Sequence, residues 1–214
     1  MSHAFQGLKV NQQTRSKPRW HLMTSGRPEQ VTERLNKLID PFGEILKDWW
    51  LAERAAIAST PHWDIASQCT IDGDNGLLLI EAKAHLSELK VDDACGSLHK
   101  NNCHQIKRAI AEANDDFNTL FHGWHLSNEH HYQLSNRFAW SWKIACLGIP
   151  VVLVYLGFLK ADEMQDPFTT ERSWEQAIRG YGKGVVPDSV WNSKMMINHT
   201  PLYVLIRSKE MPLC

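Results

Sequence analysis

The sequence predicts an α/β fold, a mixed β-sheet of four or five strands flanked by helices. Three observations point there. Residues 63–85 hold two apolar-rich strands around a Gly-rich turn, and residues 150–159 form an unbroken apolar run of the length of a central strand. The stretches around them space apolar side chains three and four apart, which is the helical period.

The chain has 214 residues, enough for one sizeable domain with its own core. Its charge is balanced, with 23 basic and 24 acidic side chains, which excludes a domain that holds polyanions through a global basic field. Contact with nucleic acid must then come from a local patch. Five scattered cysteines do not form a disulfide framework and fit a reducing compartment, so a cytoplasmic protein is expected. The longest apolar run, 144–159, is broken by Gly148 and Pro150 and is too short to cross a bilayer, so no membrane partner is expected. Lys9, Arg15, Lys17 and Arg19 interrupt the N-terminus, which lacks the apolar core of a signal peptide.

Residues 1–27 are polar and aperiodic and read as a loosely ordered arm, leaving 28–214 as the domain. Pro28 and Glu29 suit a first helical turn, and Val31, Leu35, Leu38 and Ile39 make an amphipathic helix. Pro41 and Gly43 end it. A second helical segment follows from Ile45 to Ala58. The strand pair comes next, joined by Asp72-Gly73-Asp74-Asn75-Gly76, which carries strong hairpin chemistry. After a loop over 86–97, residues 102–120 form a long helix with Ile106, Ala109, Ile110, Ala113 and Phe117 on one stripe. Residues 134–147 make another helix, ended by Gly148, and 150–159 the central strand. A short helix over 173–179 and a last strand over 202–206 complete the order.

The chemistry sits in the hairpin. Side chains alternate along a strand, so Glu81, Lys83 and His85 share one face while Ile80, Ala82 and Ala84 take the other. If Asp72 and Gly73 are the two turn residues, Ile71 opposes Asp74 and, counting outward, Asp64 opposes Glu81. A turn centred on Asp74 would instead set Asp64 against Ala84 and send it to the wrong face. Register therefore decides the site. The tripeptide Glu81-Ala82-Lys83 alone decides nothing, since about 1.5 acid-x-Lys matches arise by chance at this composition. Glu88-Leu89-Lys90, with no apolar strand before it, shows what a chance match looks like.

Two carboxylates a few ångströms apart repel, and such a pair normally holds a divalent cation. Hard oxygen ligands suit Mg²⁺ or Mn²⁺, which keep bound waters and sit against phosphate oxygens. A lysine beside them has an evident use: it orients the attacking water and offsets charge developing on the phosphorane. That chemistry is hydrolysis of a phosphodiester bond.

At these residues the chain resembles the PD-(D/E)XK nuclease superfamily, the restriction-endonuclease-like fold. The resemblance implies that Asp64 and Glu81 bind the metal with help from the Ala82 carbonyl, and that Lys83 serves the nucleophilic water. It also implies an acid on the first helix, where Glu44 and Glu53 are both candidates, and a polar residue on a later helix, where Gln105 fits, with Asn102 one turn before it. Trp63 stands where the family's name has proline. A DNA or RNA substrate is implied, DNA being the expected one, and restriction-like enzymes often pair, so a homodimer is expected from the resemblance. The other reading is a protein that keeps the fold without catalysis and binds nucleic acid or protein, its charged trio structural.

Other constellations weigh less. Cys95, His99 and Cys103 recur every four residues in the manner of zinc ligands, but no Cys-x-x-Cys pair accompanies them. Nine tryptophans are more readily core than base-stacking platforms. Lys100, Lys107 and Arg108 are candidates for phosphate contact, and Cys69 has no histidine base beside it in sequence.

Overall fold

The structure, a computed structural model, describes residues 42–53, 60–97, 99–161 and 165–210. The predicted arm over 1–27 and the predicted helix from Pro28 lie outside them. Helix α1, Gly43–Trp50, turns Leu46 and Trp50 inward. It stops where the sequence predicts continuation, because Leu51 is extended and residues 52 and 53 are not helical. The reason is Asn102. This buried amide accepts from the Glu53 N–H at 2.8 Å and donates to the Glu53 carbonyl at 3.1 Å, taking the backbone groups another helical turn would use. Residues 54–58 of the predicted helix lie outside the described residues.

Strands β1 (Ile65–Ile71) and β2 (Asp74–Lys83) form the hairpin. Asp72 and Gly73 are the turn, at φ 53° and 98°. Positive φ at both central residues defines the turn whose twist matches paired strands, and Asp-Gly is among the few pairs that adopt it cheaply. The ladder runs from Ile71 opposite Asp74 to Ile65 opposite Ile80. Asp64 is a bend just before the ladder, and continuing the register by one step sets it against Glu81.

Helices α2 (Lys100–Leu120) and α3 (Tyr132–Cys146) carry the chain from β2 over one sheet face to β3 (Val151–Leu159), which lies parallel to β2. Helix α4 (Glu171–Tyr181) leads on to β4 (Ser193–Ile197) and β5 (Thr200–Glu210). The sheet order is β1-β2-β3-β5-β4, with a parallel centre and antiparallel edges. The fold is thus α/β with a five-stranded mixed sheet flanked by helices. Strand β4 has no counterpart in the sequence reading. Its Ser-Lys-Met-Met-Ile is half polar, and its hairpin turns on Asn198 and His199, both at positive φ, without a glycine. Strand β5 is also longer than predicted, since the polar residues from Arg207 to Glu210 pair with the end of β3.

The main core lies between the sheet and the helices. Leu77, Leu79, Leu153 and Val204 meet Phe117, Phe138, Trp124 and Trp140 there, and each ring buried this fully contributes about 1.5–3 kcal/mol. Trp50, Trp124, Trp140 and Trp174 are fully buried, as the core reading of the tryptophans expects. Gly157 lets α4 approach: a Cβ there would come within 2.4 Å of the Trp174 ring. A smaller cluster, Cys69, Ile71, Val152, Val154 and Leu205, occupies the other face. Leu77 and Leu79 face the helices, so by alternation Glu81 and Lys83 face them too.

Candidate functional site

Glu81 is 2% exposed, and both of its oxygens are taken. Oε1 accepts from the Lys83 ammonium, and Oε2 accepts from Arg137 Nε at 2.6 Å. Burial alone would push this carboxyl up, but Arg137 and Lys83 outweigh it and hold Glu81 below the usual carboxylate range. Arg137, in the middle of α3, is itself fixed from several sides. It donates to Asn136 Oδ1 at 2.6 Å and to the His62 carbonyl, and its guanidinium lies 4.8 Å from the centre of the Trp63 ring. Trp63, the residue before Asp64, is thus the platform for the arginine.

Asp64 meets a different environment. Its Oδ2 accepts from the Ala82 N–H at 2.7 Å, and its side chain keeps a solvent-exposed side. The protein packed around it and then the charge of Glu81 raise its carboxyl above the usual range, against the Ala82 N–H, Lys83 and Arg137. Two facing carboxylates that sense each other are what the register of the hairpin requires.

A cleft of about 580 Å³ opens at the carboxyl end of β2, the end of a parallel strand where α/β sheets bind their ligands. Lys83 and Arg137 line it, with His62, His85, Gln133 and Asn136. Two acids in its wall are already engaged. Glu88 accepts from the N–H groups of Ala84 and His85, and Asp93 caps α3 by accepting from those of Tyr132 and Gln133 at 2.7 and 2.8 Å. Both keep their charge, so the wall carries Lys83, Lys90 and Arg137 beside two carboxylates.

The residues present fit a small divalent cation. Mg²⁺ typically takes only one or two carboxylates from a protein and keeps several waters. The second Asp64 oxygen makes no hydrogen bond among the described residues, and each Glu81 oxygen retains a lone pair. The N–H and C=O of one strand residue point to the same neighbour, so the Ala82 carbonyl shares the Asp64 side. Among the described residues no group of three or more His, Cys, Asp or Glu is placed to hold a metal. An ion here would therefore rest on two carboxylates, a carbonyl and water.

The hairpin thus brings Asp64, Glu81, Ala82 and Lys83 together, whereas the other predicted residues lie elsewhere. Gln105 donates to the Trp49 carbonyl at 2.8 Å, in the α1–α2 contact. Glu44 pairs with Lys47 at 2.9 Å, and Glu53 accepts from Asn101. Lys107 pairs with Glu129 at 3.0 Å. The Cys95 and Cys103 sulfurs touch at 3.0 Å without forming part of a metal cluster, and burial pushes the Cys69 thiol up to about 11. The polar helix residues beside the site are Gln133, Asn136 and Arg137, which sequence reasoning missed. A signal existed: an arginine inside an otherwise buried helix needs a counter-charge, and Glu81 is the acid at the end of a buried strand.

Among the described residues no helix is long and apolar enough to cross a membrane. Comparison of the chain with family models, curated proteins and solved structures finds no match.

Proposed function

We propose that this protein is a metal-dependent nuclease that hydrolyses phosphodiester bonds of nucleic acid, DNA in the first instance, with a restriction-endonuclease-like fold. The observation that carries this reading is the position of Asp64, one step beyond the Ile65–Ile80 pair and within the field of Glu81, with Lys83 two residues on and lining a cleft. Asp64, Glu81 and the Ala82 carbonyl would hold Mg²⁺ or Mn²⁺, which polarises a phosphate oxygen and lowers the pKa of bound water. Lys83 donates to the attacking water and to the phosphate as negative charge builds. Arg137 holds Glu81 in one rotamer, so the carboxylate does not have to reorganise when the substrate arrives.

One observation favours the second reading, a non-catalytic module that binds nucleic acid or protein. Both Glu81 oxygens already have cationic partners, as in a purely structural ion triad. Calorimetry with Mn²⁺ in the presence of a cleavage-resistant phosphorothioate oligonucleotide separates the two. The nuclease reading expects a binding site in the wild type that disappears in Asp64→Ala. Equal heats from both proteins would favour the module.

A further inference from the structure

We propose that Cys95 and Cys103 form a redox site, a dithiol that a small disulfide of the glutathione class oxidises to a bond, and that this bond fixes one wall of the cleft to α2.

The two sulfurs stand 3.0 Å apart, about 1 Å more than the length of a disulfide bond, and both cysteines are free and half-buried. Two different elements bring them together. Cys103 lies in the first turn of α2, and Cys95 in the loop that precedes it. That loop is fastened to the start of α3. The Cys95 N–H donates to the Asn128 carbonyl at 2.9 Å and the His131 N–H to the Val91 carbonyl at 2.9 Å, beside the Asp93 cap. The same loop supplies Lys90 and Asp93 to the cleft, and Tyr132 of the cleft hydrogen-bonds to the Cys95 sulfur. Toward α2 its ties are weaker, the Cys103 thiol donating to the Ser97 carbonyl at 3.4 Å and to the Cys95 carbonyl at 3.8 Å. A covalent link across these contacts joins α2 to the wall. Paired thiols also serve metals, but structural zinc takes four ligands, and among the described residues no third His, Cys, Asp or Glu is placed beside the pair to hold one.

The oxidant is the small disulfide itself. The thiolate of one cysteine attacks one of its sulfurs, forming a mixed disulfide and releasing one small thiolate. The thiolate of the other cysteine then attacks the protein sulfur of that mixed disulfide. The bond between Cys95 and Cys103 forms, the second small thiolate leaves, and the two cysteine protons end on the two released thiols. The protein loses two electrons and the small disulfide gains them. Burial first, and then contact with Cys103, push the Cys95 thiol up to about 11, so exchange at neutral pH is slow and the populations are read at equilibrium.

The test equilibrates the full chain in a series of reduced and oxidised glutathione buffers, quenches with acid, labels free thiols with a maleimide and maps the peptides by mass spectrometry. Trypsin cuts after Lys90, Lys100 and Lys107, so the two cysteines fall on separate peptides. The expected result is a species linking residues 91–100 to 101–107 that rises from below about a tenth of the protein in the most reduced buffer to above about nine tenths in the most oxidised. Amide hydrogen exchange over residues 91–97 should then slow at least about threefold in the oxidised wild type, and stay unchanged by the same buffer in Cys103→Ser. Both cysteines still labelled in the most oxidised buffer, or capped by glutathione without the link, would overturn the redox site, and this arm needs no variant to fold. A linked wild type with unchanged exchange over 91–97, or the same slowing in Cys103→Ser, overturns the fixing of the wall. Neither readout uses cleavage or metal binding, so failure here leaves the nuclease reading as it stands.

Discussion

Asp64 and Glu81 face each other across one strand pair, yet the fold treats them in opposite ways. Glu81 is buried, doubly paired with cations and held below the usual carboxylate range, so its charge is part of the architecture. Asp64 is partly exposed, has one backbone hydrogen bond and is raised by its packing and by Glu81, so its charge is tolerated at a cost to the folded state. Stabilised structure normally relieves such repulsion. A carboxylate that destabilises the fold where it stands is a candidate for a chemical role, which is the role proposed for Asp64.

The largest expected effect is on Glu81. Glu81→Gln leaves Arg137 and Lys83 facing each other without a buried counter-charge, and should cost about 3–5 kcal/mol, or a fall in Tm of about 10 °C for a chain of this size. Thermal unfolding followed by circular dichroism measures it. A Tm within about 2 °C of wild type would sink the contrast.

Acid titration sharpens the same contrast. The carboxyl of Glu81 is depressed in the fold, so its stabilisation is complete above the ordinary carboxylate pKa of about 4.3 and is lost as pH falls through the lower folded value. Wild type should therefore lose stability below about pH 4.3 more steeply than Glu81→Gln in denaturant unfolding at a series of pH values. Parallel profiles would mean that Glu81 has no such role.

Asp64→Asn should act in the other direction, and weakly. A raised carboxyl contributes stability that is present below its ordinary pKa and lost as pH rises through the folded value. At neutral pH the amide removes that penalty. Because one side of Asp64 is in water and screened, Tm should stay level or rise by no more than about 2 °C. A clear drop in Tm would place Asp64 with Glu81 as architecture. The smallest effect belongs to Gln105→Ala, which loses one hydrogen bond to the Trp49 carbonyl, about 1 kcal/mol, and should leave cleavage unchanged.

The hairpin was legible because its information is local. Asp72-Gly73 selects one turn, the turn selects one register, and alternation then places Asp64 and Glu81 on one face. The apolar run of β3 and the stripe of α2 were legible for the same reason. Arg137 was not, because it reaches Glu81 from 56 residues away and no spacing rule joins a helix position to a strand position across a crossover. Gln105 has the composition expected of a site residue, but its turn of α2 faces α1. Over residues 51–53 the predicted helix gave way to a single long-range group, the Asn102 amide. Strand β4 stayed hidden because a half-polar edge strand with an Asn-His turn has neither strong alternation nor a glycine signal.

The central claim, that Asp64 and Glu81 serve metal-dependent phosphodiester hydrolysis, is tested most directly by incubating labelled single- and double-stranded DNA and RNA with purified wild type and Asp64→Asn, with Mg²⁺ and with chelator. The expected result is Mg²⁺-dependent cleavage by the wild type that falls at least about 10²-fold in the equally well folded Asp64→Asn. Cleavage by both proteins at the same rate, or by neither on any of the four substrates, would contradict it.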